Sequence, residues 1–189
     1  SPFITPDGEF VIFATSATNL VSGDTNAQSD VFIVTLATGD IERVSVSSSE
    51  VEADDYSGGT GLIYMSDDGR YVVFDSNATN LVAGDTNGAL DIFVRDRTLG
   101  TTERLSVSSS EVQGNGDSSY PHISSDGQFV SFISDATNLV TGDANGVTDV
   151  FVRDLVSGAT QRASIDSSAI ESNGASSFPY ISDEGRFVI

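Results

Sequence analysis

Three short loops carry the residues with the most chemical potential. The pattern Asp-x-Asn-x-x-x-Asp occurs as Asp24/Asn26/Asp30, Asp85/Asn87/Asp91 and Asp143/Asn145/Asp149. Alternate residues of a tight loop can turn carboxylate, amide and carbonyl oxygens inward, and calcium takes about six to eight such oxygens. Two acids and one amide per loop, completed by carbonyls and water, suit a weak extracellular-type Ca2+ site of roughly 10⁻⁴–10⁻³ M. The match to known calcium loops is partial, because no bidentate Glu stands at the twelfth position. The same residues admit a second reading, in which Asp and Asn bond to nearby backbone and Gly88 and Gly146 take left-handed turns. Both readings stay open from sequence. The first loop departs from the other two, with Ala27 in place of the glycine.

The rest of the composition excludes several kinds of chemistry. There is no Cys, so no thiol nucleophile, disulfide or thiolate metal site. All eight basic residues are Arg, which leaves no Schiff-base or phosphate-loop lysine. The single histidine, His122, cannot form a histidine cluster. A net charge of −20 disfavours nucleic acid and anionic membrane surfaces, and favours solubility, cations or a salty medium. The serine runs at 47–49 and 108–110 have no base partnered in sequence. Nothing singles out two of the 28 acids as a glycosidase pair, and the chain has no Trp on which a sugar could stack. No catalytic residue and no organic cofactor is assigned. No apolar run approaches the ~20 residues of a membrane helix. The opening SPFITPDGEF lacks the features of a signal peptide, as expected if a leader has been removed or the segment is internal.

The acidic loops belong to a long repeat. Thr5–Phe13, Ser66–Phe74, Ser124–Phe132 and Ser182–Ile189 align around Gly8, Gly69, Gly127 and Gly185, which are 61, 58 and 58 residues apart. Each of the first three turns is followed by A-T-N-L-V-x-G-D and the acidic loop, then by a polar segment around Arg43, Arg104 or Arg162. Each period reads as four short strands. The first holds an aromatic and an Ile or Met, with His122 in the slot of Phe3, Tyr64 and Tyr180 and so in a packing role. The second is F/Y-V-x-F, apolar at consecutive positions and therefore covered on both faces. The third is Asp-Val/Ile-Phe-Val/Ile. The fourth is placed at Arg43–Val46 and its copies, alternating as a half-exposed outer strand. Four-stranded antiparallel sheets at a fixed interval predict an all-β fold, a β-propeller. Blades are expected at 1–60, 61–118 and 119–176, with 177–189 as the first strands of a further one. This is an incomplete ring, and the remaining blades are expected elsewhere in a longer chain or in a second copy.

The turn S-D-D-G-R-Y-V-V-F followed by D-I-F-V-R-D resembles the TolB-like, WD-repeat-like bacterial β-propellers. The A-T-N-L-V-x-G-D-T-N-G insertion is similar to that of an extracytoplasmic subgroup. Blade one departs from the pattern, with Val34-Thr35 in place of Arg95-Asp96 and Arg153-Asp154. Those Arg and Asp residues read as cross-strand or interblade ion pairs. Asn19, Asn80 and Asn138 read as loop anchors. The resemblance implies a non-enzymatic, extracytoplasmic binding or scaffold module, periplasmic, secreted or at the cell surface. Long connections on one face would hold a protein or glycan partner, stiffened by calcium. Two alternatives remain: an accessory propeller of a larger hydrolase, or a subunit of a multi-chain surface assembly.

Overall fold

A computed structural model describes residues 2–189. It is all-β among the described residues, with three four-stranded antiparallel sheets. The first is formed by β1 (Phe3–Ile4), β2 (Phe10–Thr15), β3 (Asp30–Thr35) and β4 (Asp40–Arg43). The second is formed by β5 (Tyr64–Met65), β6 (Tyr71–Ser76), β7 (Asp91–Asp96) and β8 (Thr101–Arg104). The third is formed by β9 (Ser118–Ile123), β10 (Phe129–Ser134), β11 (Asp149–Asp154) and β12 (Thr160–Arg162). Each sheet is a simple meander in which neighbours in sequence are neighbours in space. After the third sheet, Ile181 bridges Val188 and Tyr180 pairs with Ile189, which gives the start of a further hairpin.

Consecutive apolar residues on the second strands are explained by two-sided packing. Val72 and Phe74 join Ile12, Val31, Ile33 and Val44 in a core between the first and second sheets. Val73 points the other way and joins Ile123, Val130 and Phe132 between the second and third. The second blade thus buries one set of alternate side chains against the blade before it and the other against the blade after it. Full burial of one such side chain contributes roughly 1.5–3 kcal/mol.

The fourth strand differs from the sequence expectation. It ends at Arg43, Arg104 or Arg162 instead of beginning there. The next three residues of blade one, Val44, Ser45 and Val46, are all buried, so they do not alternate as an outer strand would. The physical cause is local. The Ser45 hydroxyl donates to Asp30 Oδ1 at 2.6 Å, and the Val31 N–H donates to Ser45 Oγ at 3.1 Å, which draws the chain inward over the sheet end.

The Asp-Gly turns do more than reverse the chain. Gly127 has φ +73°, and a Cβ there would lie 2.7 Å from the Tyr71 ring of the preceding blade. Gly69 meets Phe10 and Gly185 meets Phe129 in the same way. His122 lies between Tyr64 and Tyr180, with ring centroids 4.3 and 3.8 Å away, and is buried in the packing role read from its slot. Burial lowers its pKa from 6.5 to about 4.

Candidate functional site

The three acidic loops are built alike. Asn26 donates from Nδ2 to Asp30 Oδ2 at 3.0 Å and to the Ala53 carbonyl at 2.9 Å. Asn87 and Asn145 repeat this toward Asp91 and Gly114, and toward Asp149 and Ser172. Each amide oxygen accepts a backbone N–H two residues on, from Gln28, Ala89 and Val147. The second aspartate of each loop takes a serine hydroxyl on its other oxygen, from Ser45, Ser106 or Ser164.

A guanidinium lies among the carboxylates in all three loops. Arg104 Nη1 is 3.1 Å from Asp85 and 3.4 Å from Asp91. Arg162 Nη1 is 3.2 Å from both Asp143 and Asp149, and 2.8 Å from Glu171. Arg43 Nη1 is 2.8 Å from Glu52 and 3.5 Å from Asp30, but 3.8 Å from Asp24. In the second loop Gln113 stands where the others have Glu, and it donates from Nε2 to Asp85 at 2.9 Å. The arrangement is a node in which one arginine partly offsets the acids and ties the acidic loop, the end of strand four and the outgoing connection together. Burial pushes the Asp30 and Asp91 carboxyls up, against the pull of serine, asparagine and arginine. Burial likewise raises Asp143. Burial opposes ionisation of Glu52, but bonds from Thr25 and Asn26 and the charge of Arg43 hold it below its ordinary value.

All nine residues singled out by the motif therefore sit in these nodes. Sequence reasoning missed the arginine at their centre and the third acid. The signal was present as spacing: the Arg follows the second Asp by 13 residues, and the Glu or Gln follows the Arg by nine.

The insertion asparagines anchor neighbouring blades. Asn80 Nδ2 donates to the Glu52 carbonyl at 2.8 Å, and the Asp54 N–H donates back to Asn80 Oδ1 at 3.0 Å. Asn138 does the same with Gln113 and Asn115. Asn19 is exposed. The connection after strand two of one blade thus lies on the connection after strand four of the blade before. A second interblade contact is made by Arg95, which donates to Glu50 and to the Ser47 carbonyl; Arg153 repeats it with Glu111 and Ser108. Asp96 serves its own blade, accepting from Arg70 at 2.6 Å.

Repeating four-stranded meanders packed face to face define a β-propeller module. Solved structures agree. TolB from Acinetobacter baumannii matches with a TM-score of 0.57 and 19% identity, over 99% of this chain and 36% of that one. A protein provisionally assigned as TolB from Agrobacterium tumefaciens matches with a TM-score of 0.52 and 17% identity, over 100% and 57%. The fold is that of the TolB-like β-propellers, and the chain spans 36% and 57% of the length of these two relatives. No protein-family model and no curated protein sequence matches.

Proposed function

We propose that the chain is the binding arc of a non-enzymatic, extracytoplasmic β-propeller, holding a protein partner on the face formed by its long connections. One observation carries this reading. Val51, Val112 and Ile170 occupy the same place in three successive connections and are 53%, 55% and 61% exposed. One aliphatic side chain per blade, presented on loops fixed by the arginine nodes, makes a spaced apolar row for a protein surface. The exposed aliphatics in the short β-turns between strands three and four, Leu36, Leu99 and Val156, fall at three different repeat positions and form no such row. A photo-cross-linking residue at 112 is expected to capture a discrete partner in the cell envelope, and the same residue at 99 is not. Equal capture from both positions would argue against the assignment.

Calcium stiffening is a second reading, favoured by an observation in the first loop. Asp24, Asp30 and Glu52 offer oxygens within 4.8 Å of one another, and Asp24 Oδ1 is buried without a hydrogen-bond partner. Millimolar calcium is expected to raise the melting temperature of the wild type but not of Asp24→Asn. An unchanged wild-type melting temperature would leave the loop as an arginine node alone.

A further inference from the structure

The repeat is broken at one place. Between Ser57 and Tyr64 the second blade has three more residues than the third has between Ser118 and His122, and the extra length lies in the glycine-rich stretch that begins Ser57-Gly-Gly-Thr-Gly61. Beside this stretch, β6 carries Asp75, where β2 and β10 carry Ala14 and Ile133 at the same register. The departure puts a carboxylate into the blade interior: Asp75 is 0% exposed. The inserted segment is fitted to it. The Gly58 N–H donates to the Asp75 carbonyl at 2.7 Å, and the Thr60 N–H donates to Asp75 Oδ2 at 3.0 Å.

Three oxygens are left over here. Asp75 Oδ1, Asn77 Oδ1, two residues along the chain, and the hydroxyl of Thr60, whose own N–H bonds the carboxylate, are each buried with no hydrogen-bond partner. The Tyr56 carbonyl accepts the Asn77 N–H at 3.2 Å, and the Tyr56 ring covers Gly59, where a Cβ would fall 2.4 Å from a ring carbon. Burial, and then the negative charges of Asp75, Asp55 and Asp117, push the Tyr56 phenol up, while the Asn77 side chain pulls it down.

The charge balance sets this acid apart. The other four buried aspartates each face an arginine: Asp30 with Arg43, Asp91 with Arg104, Asp96 with Arg70 and Asp149 with Arg162. Asp75 has no ion-pair partner among the described residues. A buried carboxylate without a counter-charge is strongly unfavourable, and burial raises the Asp75 pKa, so a cation here competes with a proton for the same oxygen. A water molecule could bridge the acceptors but would bring no charge, and a partner protein's side chain cannot reach a fully buried group. A small bare cation satisfies both needs, because hard cations select carboxylate, amide and hydroxyl oxygens.

We propose that Asp75, with Asn77 Oδ1 and the Thr60 hydroxyl, binds a hard, oxygen-seeking cation of the calcium class beneath the glycine-rich segment of the second blade. The site is separate from the three acidic loops and does not rest on their binding calcium. Terbium tests it directly, because the chain has no Trp and Tyr56 stands ready to sensitise a lanthanide bound beside it. Excitation of tyrosine in the full chain is expected to give saturable terbium emission that calcium displaces. A variant carrying Asp24→Asn, Asp85→Asn and Asp143→Asn should keep it. Asp75→Ile, which installs the third blade's residue, should abolish it when added to Asp24→Asn, Asp85→Asn and Asp143→Asn, and Asn77→Ala in the same background should weaken terbium binding at least tenfold. Absent emission in the wild type, or in that background equal binding by Asp75→Ile or an unchanged affinity in Asn77→Ala, would overturn the proposal. So would loss of the signal in the triple loop variant alone. Circular dichroism confirms that each variant is folded, and Asn77→Ala decides the matter if Asp75→Ile is not.

Discussion

One guanidinium governs what each acidic loop can do. Arg104 faces Asp85 and Asp91 at 3.1 and 3.4 Å, and all three side chains are nearly excluded from water. Removing one partner of such a cluster leaves the others charged and uncompensated. Arg104→Ala is therefore expected to cost about 3–5 kcal/mol in urea unfolding. The same variant should become calcium-responsive, since the two carboxylates lose their cation. The histidine obeys a different rule. His122 is neutral in the fold because burial lowers its pKa to about 4. Between about pH 6.5 and 4 the unfolded chain takes up the proton and the folded chain does not, so stability falls as the pH falls through that window. The loss from this one group is on the order of 3 kcal/mol. Urea midpoints of the wild type and His122→Tyr, compared at pH 7 and pH 4.5, isolate it: the variant should lose less on acidification. Equal losses would remove His122 as the cause.

At the scale of the elements, the strand-two turns join local backbone demands to interblade packing. Gly8 and Gly127 have nearly the same φ, +71° and +73°, but only Gly127 is covered by an aromatic ring. Gly8→Ala should cost about 1–2 kcal/mol for the left-handed conformation alone. Gly127→Ala should cost more, because Tyr71 must also move, and thermal melting of the two variants measures the difference. The glycine's conformational role was legible in the Asp-Gly turn, but its packing role was not, because the ring it meets lies 56 residues earlier in the chain. The second and third strands were legible for the opposite reason: unbroken apolar runs such as Val72-Val73-Phe74 have one physical solution, burial on both faces. The fourth strand was misplaced because Arg43, Val44, Ser45 and Val46 alternate in polarity. Ser45 is in fact held inside by Asp30.

For the molecule as a whole, the period of 58 to 61 residues made the architecture legible, and the acidic motif located the nodes. What each node contains depended on contacts across 13 and nine residues, which polarity patterns do not reveal. The interblade latch shows the same limit. Arg95 with Glu50 and Arg153 with Glu111 span the two seams, while the corresponding positions on the outer sides are Val34 and Ala169. Both devices fix the long connections, and those connections carry Val51, Val112 and Ile170. We propose this row as the binding surface. The most direct test compares partner capture by the wild type and by the triple variant Val51→Asp, Val112→Asp, Ile170→Asp, with melting temperature as the control for folding. Capture is expected to fall at least tenfold while the melting temperature is unchanged, since all three side chains are more than half exposed. Full capture by a folded triple variant would contradict it.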